Sequence, residues 1–369
     1  MKIDKGKISG IQFMFTVACF IQSSSLLTSF FTSITNQDSW IIVIMGFIVS
    51  IIPLLIYGYI MKTFPDENLI EINDIVFGGI IGKIFSVLYL WFFMTLSSLN
   101  IRDLGDFVQR TTMTKTPPII VISIFVLLCA WTVRNGIEVV TRYSMFFTLI
   151  AILIVISTSL LTINQMNIDN FLPIFDQPKM VYIQGTHIIS TIPFGEIVVF
   201  LMINSNLEIE PKKRRKYFIY GFIIGGLTLL TIVLRDTAVL GNTMKIFSLP
   251  SFETLRLISI HSTLSRVEVL FAVSLIILMF FKICILYYVT VMSVAYIFKL
   301  KSFKSLVASI GVISIIYSFN IYPTVIEHMN SASKTAPFQW LLYETILPLI
   351  TMIVIKIRKL PKLKKGMIS

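Results

Sequence analysis

Two ionisable side chains of this sequence lie inside long apolar stretches. Glu196 follows a Pro-Phe-Gly sequence within the apolar segment at about 181–203, and Lys282 lies in the middle of the segment at about 267–297. The helical rise places Lys282 about 22 Å from the start of its segment. In a bilayer, such a charge costs about 2.5 to 3.5 kcal/mol on insertion scales and is usually paired or lines a cavity. Both residues are therefore candidates for a functional site.

Each of these groups has several possible roles. The Glu196 carboxylate can hold the ammonium group of a ligand, carry a proton, or act as the structural counter-ion of Lys282. The Lys282 ammonium can pair with Glu196, fill the space that a sodium ion occupies in cation-coupled transporters, or reach the cytoplasmic face with its alkyl stem in lipid. Glu268 and Glu344 lie near the expected outer ends of their segments, where structural ion pairing is the expected role.

The residues that precede Glu196 predict an interrupted helix. Proline removes a backbone donor and clashes with the preceding turn, and glycine permits unusual dihedral angles. The stretch from Thr191 through Pro193, Phe194 and Gly195 to Glu196 is therefore expected to break the sixth apolar helix near its middle.

A weaker signal of the same kind lies in the first apolar segment, where Gln22 is followed by Ser23, Ser24 and Ser25. Serine hydroxyls compete with the backbone for hydrogen bonds and can loosen a helix. Helices one and six correspond to each other in transporters made of two inverted five-helix repeats, in which the substrate binds between broken helices near the midplane. The two signals together predict that architecture.

Composition sets the environment of these residues. Of the 369 residues, 56% are apolar and 14% are charged, whereas soluble domains carry about 25% charged residues. The apolar runs are continuous, unlike the alternating strands of outer-membrane barrels, and favour spanning helices of about 20 residues. This excludes a secreted enzyme, a single-span receptor with a large soluble domain and a nucleic-acid-binding protein. We predict an all-α integral membrane protein.

The whole chain, residues 1–369, is expected to form one polytopic membrane domain with ten transmembrane helices in a 5+5 inverted repeat. The helices are expected at about 8–33, 39–61, 77–99, 118–133, 143–163, 181–203, 217–235, 267–297, 305–321 and 338–356. An amphipathic segment at about 250–260 is expected on the outer surface, where it either caps a vestibule or simply lies at the interface. Gly221 and Gly225 have the spacing that lets helices approach closely.

The basic residues assign an orientation to this layout. With a cytoplasmic N-terminus, 21 of the 31 Lys and Arg residues fall in inner segments and 9 in outer segments, in agreement with the positive-inside rule. Both termini are therefore expected in the cytoplasm, and the net charge of +12 reflects topology. The three cysteines are isolated and the three histidines are scattered, so we predict no metal site, no cofactor and no catalytic residue.

Five short motifs follow one another along nearly the full length of the chain. They are Gly136-Ile137-Glu138 with Arg142, Asn170-Phe171-Leu172-Pro173-Ile174-Phe175, Pro193-Phe194-Gly195-Glu196, Leu249-Pro250-Ser251-Phe252-Glu253-Thr254, and Arg266-Val267-Glu268. In this order they resemble the B subunits of spore germinant receptors. These are spore germination permeases of the amino acid, polyamine and organocation superfamily.

The resemblance implies a leucine-transporter-like fold, a place in the inner membrane of the spore, and a hetero-oligomeric complex with receptor A and C subunits. It also implies that a small germinant, an amino acid or related solute, binds near the membrane midplane and starts germination through the partner subunits. Carried over to this chain, the ligand-binding residues are Ser23, Ser24, Ser25, Thr191, Pro193, Phe194, Gly195 and Glu196.

Two points stay open at this stage. Family members commonly carry a glycine-containing stretch and a following proline in helix one, whereas residues 22–29 of this chain contain neither. Serine hydroxyls would then replace backbone amides, which allows a germinant other than a simple amino acid. The alternative function is a proton- or sodium-coupled transporter of amino acids or organocations, because the same fold serves sensing and transport.

Overall fold

The computed structural model describes residues 3–257 and 267–361. Within them the chain is helical, with one isolated parallel bridge between Ile8 and Leu207. The α-helices are α1 Gly10–Ser23, α2 Ser29–Thr35, α3 Ser39–Thr63, α4 Leu69–Phe77, α5 Gly79–Thr111, α6 Pro118–Arg134, α7 Ile137–Leu161, α8 Lys179–Thr191, α9 Pro211–Leu240, α10 Pro250–Arg256, α11 Val267–Ile297, α12 Leu306–Asn320, α13 Val325–Lys334, α14 Ala336–Leu341 and α15 Leu347–Arg358.

The first and sixth apolar segments are each built from more than one helix. In the first, a 3-10 turn at Ser24–Leu27 separates α1 from α2. In the sixth, α8 ends at Thr191, and a 3-10 helix at Gly195–Leu201 follows it. Both interruptions that the sequence predicts are therefore confirmed, including the one in helix one that rests on serines alone.

The described residues contain eight helical stretches that are long and apolar enough to cross a membrane. A ninth span results if α12 and α13, which are bent by 90° at their junction, count as one. The apolar helix α6 has 17 residues, which is the lower limit for a span. The chain is thus a multi-pass membrane protein, and the exact number of ten spans stays a prediction.

Local sequence signals set the ends of several helices. α1 begins at a capping box: the Gln12 amide donates to the Ser9 hydroxyl at 3.3 Å, and the Ser9 amide donates to the Gln12 side chain at 2.8 Å, which satisfies amides that have no partner within the helix. α5 continues to Thr111, beyond the expected end near 99. Its last turns carry Arg102 and Asp106, which form a 3.0 Å ion pair across one turn and so extend the helix with a satisfied polar face.

α1 lies at the centre of the fold and packs against α9, α7 and α11. The close approach of α9 depends on two glycines. A Cβ atom on Gly221 would overlap Val17, and one on Gly225 would overlap Ile21. The small-residue spacing therefore has the predicted effect, because it brings the backbones of α9 and α1 close together.

Large apolar side chains cover much of the outer surface. Examples are Ile80, Leu127, Trp131 and Leu153, each more than half exposed. Such a surface suits lipid, since a soluble protein rarely exposes apolar patches of this extent. The predicted amphipathic segment begins as α10, in which Pro250 and Leu255 are buried; its residues 258–260, and Arg266, lie outside the described residues.

Candidate functional site

The interruptions of helices one and six are joined by one ammonium group. Nζ of Lys282, on α11, lies 2.5 Å from Oε2 of Glu196 and donates a 2.7 Å hydrogen bond to the hydroxyl of Ser24. The Lys282 and Glu196 side chains are 0% and 1% exposed. A single buried cation therefore connects α11 to both breaks.

The Lys282 ammonium has a third neighbour, the ring of Phe20, whose centroid lies 4.9 Å from Nζ. Removing two charges from water costs several kcal/mol per ion, and the cost is recovered only when the pair is close and further hydrogen bonds satisfy it. The Glu196 carboxylate, the Ser24 hydroxyl and the face of the Phe20 ring meet that requirement together. Among the alternatives for Lys282, the structure has the pair with Glu196 and not a side chain that reaches the membrane surface.

The other serines of the first break have different partners. The Ser23 hydroxyl donates to the backbone carbonyl of Phe20 at 2.6 Å, and Ser25 lines two small cavities beside the turn. Gln22 donates to Thr228 of α9 at 3.0 Å. Of the three serines, Ser24 is thus the one whose hydroxyl binds the buried cation.

The residues that precede Glu196 build the second break. The hydroxyl of Thr191 bonds to backbone carbonyls of its own helix, and Pro193 follows a cis peptide bond. The ring of Phe194 packs against Phe47 of α3 and Phe222 of α9, with centroids 5.6 and 5.1 Å apart. These contacts anchor the break to α3 and α9, and the Glu196 carboxylate faces Lys282 of α11.

Gly195 packs directly against the carboxyl group of Glu344. A Cβ atom on Gly195 would overlap Oε2 of Glu344. Glu344 lies in a π-helical turn, Leu342–Ile346, between α14 and α15, and its side chain is fully buried. The expectation of an ion-paired residue near the outer interface was therefore wrong. The helix begins at Ala336 rather than 338, and Glu344 lies level with the break in helix six.

Two tyrosines fix this π-helical turn. The hydroxyl of Tyr57, on α3, donates to the backbone carbonyl of Glu344. The hydroxyl of Tyr89, on α5, donates to the carbonyl of Tyr343 at 3.1 Å. Such turns widen a helix locally and leave backbone groups to be satisfied from outside, often at functional sites. Sequence reasoning missed this arrangement because nothing in the spacing links Tyr57 or Tyr89 to Glu344.

Small cavities adjoin the break in helix one. One of about 40 Å³ lies beside Leu26 and Ser29, and two of about 10 Å³ each touch Ser25. Pockets that enclose small organic ligands usually measure roughly 300 to 1,000 Å³. These cavities hold water at most, so this conformation is closed around the break in helix one.

The closed conformation is held on one side by a contact between α5 and α13. Oδ1 of Asp103 lies 3.2 Å from Nδ1 of His328, and both residues line the larger cavity. The His328 ring stacks on Tyr322, with centroids 5.1 Å apart, and meets Phe30 of α2 edge-on. α13 thus covers the end of the first helix beyond its break. The sequence prediction ended the third helix before Asp103 and so missed this pair.

The opposite side is held by the segment before α1. Asp4 accepts a 2.8 Å hydrogen bond from the hydroxyl of Tyr288 and a 3.2 Å bond from the amide of Ile137. Ile8 pairs with Leu207, which follows the sixth helix. This N-terminal strap, residues 3–9, ties α7, α11 and the end of helix six together.

Neither a metal centre nor a disulfide is formed by the described residues. No group of three or more His, Cys, Asp or Glu side chains in this part of the chain is arranged to hold a metal ion. Cys19, Cys129 and Cys284 are buried and unpaired.

Comparison with known proteins places this geometry in context. A family model described as "Spore germination protein" matches residues 7–326. Spore germination protein KB of Bacillus subtilis (strain 168) is 32% identical over 165 residues, which are 44% of this chain and 44% of that protein. The aligned region thus spans less than half the length of this curated relative.

Solved structures of transporters share the fold. Mhp1, a nucleobase-cation-symport-1 family transporter in a closed conformation with bromovinylhydantoin bound, matches with a TM-score of 0.71 at 11% identity, over 95% of this chain and 78% of Mhp1. MhsT in complex with L-phenylalanine matches with a TM-score of 0.64 at 12% identity, over 96% of this chain and 99% of MhsT. The fold is therefore leucine-transporter-like, with helices one and six interrupted.

Proposed function

The chain belongs to the spore germination protein family, and on that basis we propose that it is the germinant-sensing B subunit of a spore germinant receptor. It is a permease-like membrane protein by family and fold. In this proposal a small germinant, an amino acid or a related solute, binds near the membrane midplane between the breaks of helices one and six. Binding changes the conformation of the chain, and partner subunits respond to the change and start germination.

The proposal rests on the chain of contacts from Ser24 to Lys282 to Glu196. An amino acid carries one carboxylate and one ammonium group. Inserted between Lys282 and Glu196, it would exchange one buried ion pair for two, with its carboxylate on Lys282 and its ammonium on Glu196. Close, oppositely charged groups of this kind form short and strong hydrogen bonds. The pair is thus suited to recognise a zwitterion.

Binding at this position requires the breaks to separate, since the adjacent cavities of about 10 to 40 Å³ are too small for a solute. A ligand shifts a conformational equilibrium only by as much as it prefers one state over the other. Two new ion pairs in the open state would supply that preference. The opening of helices one and six would then be the signal that the partner subunits detect.

The alternative is a coupled transporter of amino acids or organocations. The ammonium of Lys282 lies between helix one, helix six and α11, in the kind of space where a coupling cation would bind. A cation tethered to the chain does not dissociate, which favours sensing over sodium coupling. Proteoliposomes with an imposed sodium or proton gradient distinguish the two functions: accumulation of a labelled L-amino acid supports transport, and binding without accumulation supports sensing.

The proposed context is a complex with receptor A and C subunits in the inner membrane of the spore, with both termini of this chain in the cytoplasm. Spores that carry Glu196→Gln test the proposal. We expect the variant to assemble with the A and C subunits, as measured by co-purification, and to lose the germination response. A normal response from this variant would argue against the site.

A further inference from the structure

A second buried carboxyl group, that of Glu344, takes no part in the proposed binding of the germinant. Its side chain is 0% exposed, and neither carboxyl oxygen has a hydrogen-bond partner among the described residues. An ionised carboxylate without a partner is among the most costly groups to bury. Buried polar groups are otherwise almost always satisfied, so Glu344 requires an explanation.

The groups around this carboxyl do not neutralise a negative charge. Glu196 and Lys282 are its charged neighbours across the break in helix six, and Lys282 is already bound to Glu196 at 2.5 Å. Tyr57 and Tyr89 are its titratable neighbours on α3 and α5. Both hydroxyls donate to backbone carbonyls of the π-helical turn instead. Two carboxyl groups therefore share one ammonium, and Glu196 holds it.

The backbone beside Glu344 offers an acceptor. A Cβ atom on Gly195 would lie 3.0 Å from the carbonyl oxygen of Ser190 and would overlap Oε2 of Glu344. The Glu344 carboxyl and the Ser190 carbonyl therefore lie on the same side of Gly195. The amide of Phe194, which would complete the helical hydrogen bond to that carbonyl, donates to Ile189 instead. The Ser190 carbonyl accepts a long hydrogen bond of 3.4 Å from the hydroxyl of Ser50, and its second lone pair can accept another. A neutral carboxylic acid has a proton to donate to such a carbonyl, whereas a carboxylate has none.

We propose that Glu344 is a proton-binding site that holds the break in helix six closed. In the closed state the side chain is the neutral acid, packed on Gly195. When helix six separates from the π-helical turn, water enters, the O–H bond of the acid breaks, the proton passes to water and the carboxylate becomes hydrated. Opening of the break and release of the proton are then one event, and acidic conditions favour the closed state.

The proposed proton site does not require that a germinant binds. It depends on the packing between Gly195 and Glu344 and on the absence of a counter-ion there among the described residues, whether or not a solute binds between Lys282 and Glu196. If no germinant binds, the proton site at Glu344 is not disproved. If Glu344 is not protonated, germinant binding is not disproved.

Infrared spectroscopy of the full chain in lipid nanodiscs tests the protonation state directly. At neutral pH we expect a carboxylic acid C=O band in the wild-type chain that Glu344→Gln loses and that the control Glu208→Gln, at an exposed carboxylate, retains. We also expect Glu344→Gln to keep the melting temperature of the wild-type chain at neutral pH, because an amide replaces a neutral acid of nearly the same shape. An identical band in wild type and Glu344→Gln would overturn the proposal, because Glu344 would then be ionised.

Hydrogen exchange tests the link to opening, and its first measurement uses the wild-type chain alone. After correction for the intrinsic rate, exchange of the segment 187–201 should rise with pH in the wild-type chain in the range where the carboxylic acid band disappears, and should stay constant in Glu344→Gln. Loss of the band without faster exchange in wild type would overturn the coupling. A Glu344→Asp chain, whose acid band is expected at a shifted position, assigns the band if Glu344→Gln does not fold.

Discussion

Nζ of Lys282 lies 2.5 Å from a carboxylate oxygen of Glu196, and the same ammonium binds the Ser24 hydroxyl. The pair joins three elements of the fold: helix one, helix six and α11. Its charges are fully buried, so neither partner can leave the other without a replacement. In the proposed function, a ligand that carries both charges supplies this replacement.

The contributions of Glu196 and Lys282 to the free energy of unfolding are expected to depend strongly on each other. Lys282→Met alone leaves a buried carboxylate unpaired and should lower the free energy of unfolding by about 3 to 5 kcal/mol. The double variant Glu196→Gln/Lys282→Met removes both charges and should be less destabilised than the sum of the single variants. Thermal unfolding in detergent, followed by size-exclusion chromatography, measures this cycle. Additive losses would mean that the two residues do not interact as described.

Gly195→Ala is expected to separate helix six from the π-helical turn, because the new methyl group overlaps the Glu344 carboxyl. Overpacking of this kind costs about 1 to 3 kcal/mol, so the melting temperature should fall. The matched control is Gly79→Ala at the start of α5, where a Cβ atom would meet no atom within 4 Å. Equal stability of the two variants would contradict the packing of Gly195 on Glu344.

Asp103→Asn should loosen α13 from α5. The change keeps the size of the side chain but removes the charge that faces His328 at 3.2 Å. Hydrogen exchange of the segment 325–334 is expected to accelerate, by roughly tenfold for a loss of about 1.4 kcal/mol. Lys334→Gln, at an exposed position of the same helix, is the control and should leave exchange unchanged. The same rate in Asp103→Asn as in the control would contradict a closing role for this pair.

Asp4→Asn should release the N-terminal strap. Hydrogen bonds to a charged group contribute about 1.5 to 3 kcal/mol each, and Asp4 accepts them from Tyr288 and Ile137. Faster exchange is expected in the segments 3–9 and 204–209. Lys7→Gln is the control, because the Lys7–Glu208 pair is 70% and 61% exposed and an exposed pair contributes little. A larger effect of Lys7→Gln than of Asp4→Asn would refute this assignment.

The two helix breaks and the two buried charges could be predicted from the residues that form them. Proline and glycine before Glu196 and the serine run in helix one disrupt helices wherever they occur, so both breaks could be placed from the residues alone. The cost of a buried charge also singled out Glu196 and Lys282, and their pairing was among the alternatives considered.

The rest depends on contacts between distant segments. Glu344 reaches Gly195 because Tyr57 and Tyr89 hold a π-helical turn, and no periodicity in the sequence encodes that turn. The length of α5 was likewise underestimated, since charged residues such as Asp103 are typical of loops until His328 is known to face them. The tenth segment shows the consequence: counting residues from its start placed Glu344 at the interface, far from the break that it contacts.

The most direct test of the central claim is ligand-induced stabilisation of the purified chain in nanodiscs. The probes are the twenty common L-amino acids, together with simple amines and carboxylates that carry only one of the two charges. Ligand at 100 times its Kd stabilises a protein by about 2.7 kcal/mol. At least one zwitterion should therefore raise the melting temperature of the wild-type chain and of Glu208→Gln, an exposed control, but not that of Glu196→Gln. An equal rise in Glu196→Gln, or no rise with any probe, would contradict a binding site between Lys282 and Glu196.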